Sequence, residues 1–232
     1  MSTPTFNLAI ETSSRHGSIT LGADAATLDT LELDQPHRHN VELTAGIDRI
    51  FCKHAAKPEQ LTQIYLSIGP GSFTGLRIAV ATAKMLAFTL KTPIVAVPTL
   101  DVIVQNAPAE HEHVAVCLDI KPDSMYTGIY SRTGKGWQST TSPDHLTPHQ
   151  LLKTAPRPLA LMGSCLPEYP WPENVQLLDP QLAMPRSEQV WRLGHALAQQ
   201  NRFSEAMGLI PLYARRPEAE QLWQKRQRQQ KN

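Results

Sequence analysis

The sequence predicts an α/β protein made of two similar halves, and three observations carry that expectation. Short apolar runs of strand length alternate with stretches of helical period. The order strand-strand-strand-helix-strand-helix occurs twice, changing over near Pro108. At 232 residues the chain is long enough for one large domain or two modest ones with real cores. The division falls at residues 1–107 and 108–232.

In the first half, residues 6–10 read as a strand, followed by the polar turn Glu11-Thr12-Ser13-Ser14-Arg15-His16-Gly17. Strands are then expected over 18–21 and 27–33. Residues 40–55 carry Leu43, Ile47, Ile50 and Phe51 at helical spacing. Residues 63–68 read as a buried strand, 72–90 as a long helix, 93–97 as a strand and 99–107 as a short helix.

The second half repeats that order more loosely. Residues 113–120 and 125–130 form a hairpin, with a third strand near Trp137. A helix over 147–155 opens with Thr147-Pro148, a cap followed by a first-turn proline. A strand is expected over 159–162, and a helix over 187–200 with Ser187 as its cap. Residues 167–185 hold prolines at 167, 170, 172, 180 and 185 and read as an irregular surface connection. The end of the chain, LWQKRQRQQKN, is basic and Gln-rich, with little to bury after Trp223.

Composition narrows the function classes. Lys and Arg number 22 against 21 Asp and Glu, so the molecule as a whole is not a polyanion binder. Cys52, Cys117 and Cys165 are odd in number and far apart, which argues against a disulfide framework or a zinc ribbon and for a reducing compartment. The first residues, MSTPTFNLAIETS, lack the pattern of a signal peptide, and no apolar run reaches the roughly 18 residues of a membrane span. The expectation is a soluble cytoplasmic protein that does not enter a membrane.

The most distinctive stretch is Gly-Pro-Gly-Ser-Phe-Thr-Gly-Leu-Arg at 69–77. A glycine turn before a helix can offer backbone N–H groups to an anion. Yet a Walker loop would need a glycine where Thr74 stands, and the glycines at 69, 71 and 75 miss the dinucleotide-binding spacing. In the helix that follows, Phe73, Leu76, Val80, Ala83, Ala87 and Leu90 make one apolar seam. Ile78, Ala79, Ala81, Met85 and Phe88 make the other faces apolar too, so the helix needs cover on two sides. That second cover is either the chain's own core or a partner. Arg77, Lys84 and Lys91 form a basic edge to the helix.

Convergent catalytic groups are few. His145 and His149 have a metal-ligand spacing, but Pro148 reads as the first helical residue, so His145 lies outside the helix and the two do not share its face. His111 and His113 sit in a polar linker, and His37 and His39 precede a helix among polar residues; all four read as surface histidines. Ser72 is not in a nucleophile elbow. Cys52 and Cys117 fall in apolar helix and strand patterns, which predicts inert buried thiols. Arg215, Arg216, Lys225, Arg226, Arg228 and Lys231 could add salt-dependent attraction to RNA phosphates.

Four features together resemble the bacterial TsaB family, also called YeaZ. They are the Ile10-Glu11-Thr12-Ser13 turn, GPGSFTGLR opening an apolar helix, the Pro93-to-Leu100 segment, and the late Pro211-Leu212-Tyr213-Ala214-Arg215. The resemblance covers about residues 6–218 and implies an actin-like ATPase (ASKHA) fold of two duplicated ribonuclease-H-like halves. It implies a non-catalytic accessory subunit of TsaD, acting with TsaE. The complex would complete threonylcarbamoyladenosine next to the anticodon of tRNAs that read codons beginning with A. It also implies that the helix after the glycine turn contacts TsaD, or a second copy when TsaD is absent. The residues so marked are Ser72, Phe73, Thr74, Gly75, Arg77, Ala81, Lys84, Met85 and Phe88.

The chain departs from the family pattern at three places. In the first turn Glu11 stands where Asp is usual; in the second hairpin Lys121 stands where Arg is usual and Met125 follows Ser124 where Glu would fall; late in the chain Ala214 stands where Leu is usual. An actin-like ATPase holds its nucleotide with acidic-Gly-Thr hairpins. Here the first turn, Glu11-Thr12-Ser13, lacks the glycine, and the second reads Asp119-Ile120-Lys121-Pro122. No cofactor is expected to be required, with Glu11, Thr12 and Ser13 the candidates for weak nucleotide binding and Gly163-Ser164 a relic of an adenosine loop. The competing reading is an ATPase or small-molecule kinase of the same fold.

Overall fold

Residues Phe6–Glu11 are all buried, and a strand with no exposed face belongs in the middle of a sheet covered on both sides. The computed structural model describes residues 4–33, 39–121, 124–163, 166 and 169–214, without the side chains of 39–41 and 119–121. It places this strand, β1, at the centre of a five-stranded sheet. Around it lie β2 (Ser18–Ala23), β3 (Ala26–Glu32), β4 (Leu61–Ser67) and β5 (Ile94–Val97), in the order β3-β2-β1-β4-β5. β1, β2 and β3 pair antiparallel, whereas β1, β4 and β5 run parallel.

The second sheet copies this plan. Its strands are β6 (His113–Lys121), β7 (Ser124–Thr133), β8 (Gly136–Ser139), β10 (Leu159–Met162) and β11 (Val175–Leu177), in the order β11-β10-β6-β7-β8. Again the first three strands are antiparallel and the last two are parallel to the central one. The short β9 (Asp144–Leu146) adds to the far end of β7. Two sheets with the same order and sense make duplicated ribonuclease-H-like halves, the actin-like arrangement.

Alternation along the strands divides the first core. Leu8, Ile10, Ile64 and Leu66 face helices α1 (His39–Lys53) and α2 (Phe73–Leu90), and Leu43, Ile50, Ala79, Val80, Ala83 and Ala87 meet them. Ala9, Tyr65, Val95 and Val97 point the other way, onto Val190, Trp191 and Ala198 of α5 (Ser187–Gln199). Helix α5 therefore comes from the second half and covers the first sheet. In exchange α3 (Thr99–Val104), from the first half, puts Leu100, Ile103 and Val104 on Val114, Val116 and Met162 of the second sheet. The outer face of the second sheet packs on Leu151 of α4 (Pro148–Thr154).

Polar groups fasten the exchange. The Trp191 indole N–H donates to Asn7 Oδ1 inside the core. Ser187 N–H donates to Ser18 Oγ at 3.1 Å, and the Ser187 and Thr20 hydroxyls share a hydrogen bond of 2.8 Å. Ser187 is thus a buried first-turn residue, with Arg186 rather than Ser187 in the cap position. The Tyr130 hydroxyl donates to Asp101 Oδ1 at 2.7 Å, tying α3 to β7.

Some local expectations meet differences. The proline-rich stretch contains β11 and a 3-10 turn at Pro180–Ala183, because Val175 and Leu178 reach the core from it. Cys117 is buried, but Cys52 is exposed, since the apolar stripe of α1 runs through Ile50 and Phe51 and leaves the next position outside. Thr147 caps α4 with Gln150 completing the box, and His145 lies on β9 outside that helix. Helix α2 is long and apolar enough to cross a membrane by length and composition, but here it lies on the sheet and carries Arg77 and Lys84. His37, Pro122, Ser164, Cys165 and the basic positions from Arg215 onward lie outside the described residues.

Candidate partner-docking site

The glycine turn at 69–77 and the polar turn at 11–13 are packed against each other. Ser72 N–H donates to the Ser13 carbonyl at 2.7 Å, and the Thr12 hydroxyl donates to the Gly75 carbonyl at 2.8 Å. A Cβ at Gly71 would lie 2.3 Å from Ser13 O, and one at Gly75 would lie 1.9 Å from Thr12 O. Both contacts are with backbone, so neither glycine can be replaced without moving the turn. Gly75 N–H turns back to the Ser72 hydroxyl at 3.3 Å, which caps α2. The backbone of residues 12 and 13 thus occupies the space beside both glycines.

Glu11 lies beneath this junction with no exposed surface. Burial pushes its carboxyl above the ordinary carboxylate range, while the hydroxyl and N–H of Ser13 and the hydroxyl of Ser67 oppose the shift. Ser13 N–H donates to Oε1. Glu11 Oε2 and the Ser13 hydroxyl make no well-formed hydrogen bond among the described residues. The Glu11 side chain, longer than the Asp of the family pattern, therefore ends inside the protein.

Along its length α2 divides into two faces. Gly75, Leu76, Ala79, Val80, Ala83 and Ala87 are buried against the sheet. Thr74, Arg77, Ala81, Met85 and Phe88 are exposed, and their spacings of three and four place them on one stripe. Met85 is 55% exposed and Phe88 67%. Two large apolar side chains are thus left outside on this face of the helix.

The residues marked from the sequence fall into three groups. Thr74, Arg77, Ala81, Met85 and Phe88 form the open stripe, and Ser72 is exposed at its head. Gly75 is buried and cannot touch a partner; its part is the close approach to Thr12. Phe73 and Lys84 are engaged by the chain's own last described segment. The Phe73 ring stacks on Tyr213 with centroids 4.3 Å apart, and Lys84 Nζ donates to Met207 O at 2.8 Å. Arg77 Nε donates to the Tyr213 hydroxyl at 3.1 Å and lies over both rings.

That segment brings in Met207 and Ile210, which sequence reasoning passed over, beside Leu212 of the Pro211-Leu212-Tyr213 motif. Met207, Ile210 and Leu212 are 69%, 74% and 39% exposed. The available signal was an apolar run, Leu209-Ile210-Pro211-Leu212-Tyr213, which follows a glycine and belongs to no periodic element.

An actin-like protein with sealed turns and an open helix stripe is the class that fold and site define. A sequence model of the family described as TsaD, tRNA N6-adenosine threonylcarbamoyltransferase, matches residues 34–203. The Bacillus subtilis tRNA threonylcarbamoyladenosine biosynthesis protein TsaB is 27% identical over 235 residues, covering 93% of this chain and 96% of its own. The Haemophilus influenzae protein of the same name is 24% identical over 219 residues, covering 90% and 92%. The structure of YeaZ from Pseudomonas aeruginosa superposes with a TM-score of 0.76 at 24% identity, covering 90% of this chain and 99% of that one. The chain belongs to the TsaD family and, within it, to the TsaB (YeaZ) proteins.

Proposed function

We propose that this chain is a non-catalytic subunit that docks on a TsaD-family transferase through α2 and activates it. The reaction served is transfer of a threonylcarbamoyl group to the adenosine beside the anticodon of tRNAs that read codons beginning with A. The observation that carries the reading is the exposed stripe Thr74, Arg77, Ala81, Met85 and Phe88 on a helix whose opposite face is fixed to the sheet. The names of its relatives support the pathway, and the match to the TsaD family supports a partner of the same fold.

In this reading the chain works in the cytoplasm, TsaE joins the assembly, and a homodimer through the same face is the alternative when TsaD is absent. No cofactor is required: the contacts of Gly71 and Gly75 with residues 12 and 13 support a structural role for the turn. The basic positions from Arg215 onward would add salt-dependent attraction to tRNA.

The test is reconstitution with TsaC, the supplier of the threonylcarbamoyl-adenylate intermediate, together with TsaD, TsaE, labelled threonine, bicarbonate, ATP and unmodified tRNA, with and without this chain. Label that enters tRNA only when the chain is present is the expected result. Equal labelling without it overturns the accessory role, and nucleotide turnover by the isolated chain would then be the property to measure.

A further inference from the structure

Nine large apolar side chains are exposed among the described residues, and six of them lie on α2 or on residues 201–214 that follow α5: Met85, Phe88, Phe203, Met207, Ile210 and Leu212. Residues 201–214 are fastened along α2 as an antiparallel strap. Ser204 N–H donates to Ile94 O at 2.8 Å, beyond the end of the helix. Lys84 then holds Met207 O at 2.8 Å, and Arg77 and Phe73 hold Tyr213 near the start of the helix. Leu212 N–H closes the strap onto Ile68 O at 2.7 Å. Met207, at the second fastening, and Ile210, between it and the third, are the exposed apolar side chains of the part of the strap that runs along α2.

Charge narrows the occupant. Helix α2 with its cap residue Lys91 carries three cations and no carboxylate. On the strap, Arg202 adds a cation, and the exposed Glu205 carboxylate, which accepts from Met207 N–H and Gly208 N–H, is the one carboxylate set against them, so helix and strap together stay net positive. A second copy of this patch would set cations against cations.

We infer that the strap is the second half of the docking surface, and that α2 and strap together receive an apolar helix flanked by carboxylates on the TsaD-family partner. This rests on the docking reading and goes beyond it in assigning Met207 and Ile210 to the interface and acidic groups to the partner. Cutting back an exposed apolar side chain at the centre of such a surface weakens binding, and a charge of the partner's own sign weakens it more.

The experiment is titration calorimetry of the full-length chain against the purified TsaD-family protein of the same organism, with a thermal melt of every variant. Ile210→Glu is expected to raise Kd by about tenfold or more without moving the melt, because Ile210 is largely exposed. Ile210→Lys is expected to raise it less, and Met207→Glu to behave like Ile210→Glu. If Met85→Glu weakens binding while both strap variants bind as wild type does, the strap assignment is wrong and the docking reading stands. If Lys is more harmful than Glu at position 210, the carboxylate-bearing partner is wrong. If Ile210→Glu instead dissolves a homodimer and leaves the heterologous affinity unchanged, the strap serves a second copy and the inference fails. If wild type itself does not bind the partner, the docking reading falls and this inference with it.

Discussion

The Thr12 hydroxyl donates to the Gly75 carbonyl at 2.8 Å, and Gly75 lies so near Thr12 that an added Cβ would sit 1.9 Å from its backbone oxygen. The first hairpin of the fold is thereby locked to the first turn of α2. Gly75→Ala forces two backbone segments apart and is expected to cost about 2–3 kcal/mol, the upper part of the range for overpacking. Thr12→Val keeps the volume but removes the donor, and its expected cost is about 1 kcal/mol. Denaturant melts of both variants check the order, and an unchanged Gly75→Ala midpoint would refute the close packing.

A second prediction concerns pH. Burial raises the Glu11 carboxyl above its ordinary 4.5, against the opposing Ser13 and Ser67 groups. Between 4.5 and the raised value the folded chain holds a proton that the unfolded chain has lost, so stability falls as pH rises through that window. Glu11→Gln retains an acceptor for Ser13 N–H and cannot ionise. The variant should therefore lose less stability than wild type as pH rises from 4.5 through the raised value, each kcal/mol appearing as about 2–4 °C in the melting midpoint. Asp101, also raised by burial against the Tyr130 hydrogen bond, adds a slope of the same sign, so the variant flattens the profile only in part. Asp29 is lowered by Lys53 and His54, and its contribution disappears only as pH falls below 3.8. Parallel pH profiles for wild type and Glu11→Gln would disprove the buried acid.

The third prediction tests the exchanged helix. Trp191 fills the space between α5 and the first sheet, stacks on His195 at 5.0 Å and donates to Asn7 Oδ1. Trp191→Phe shrinks the ring and leaves the Asn7 acceptor buried without its donor, at an expected cost of about 2–4 kcal/mol. Equilibrium unfolding followed by far-UV circular dichroism should show a lower midpoint. A variant as stable as wild type would mean that α5 contributes little to the first core.

Period and repetition made the sheets and α2 legible in the sequence. The repeated strand order corresponds to two sheets of one topology, and the seam Leu76, Val80, Ala83 and Ala87 is the buried face of α2. Elements without period were not legible. β9 and β11 have three residues each, too few for alternation to show, and β11 lies among prolines. Nor does spacing reveal that α5 covers the other half's sheet, because its apolar stripe fits either sheet and Asn7, far away in sequence, selects one. The strap escaped for a related reason: Met207 and Ile210 acquire meaning only when Lys84 and Arg77 bring their segment alongside α2.

The last prediction separates the two faces of α2 with one substitution applied at two positions. Ala81 is exposed on the stripe and Ala83 is fully buried against the sheet. Ala81→Glu places a carboxylate in water, so its effect on folding should stay within about 0.5 kcal/mol. It should nevertheless weaken association with the TsaD-family partner, since a charge would be driven into an apolar contact. Ala83→Glu must bury that carboxylate or open the helix from the sheet, at an expected cost of about 3 kcal/mol or more. Thermal melts and partner titrations on the pair therefore move in opposite proportion: Ala81→Glu changes binding, whereas Ala83→Glu changes folding. If Ala81→Glu also unfolds the chain, its face is part of the internal core, and the second side of this apolar helix is covered by the protein's own residues.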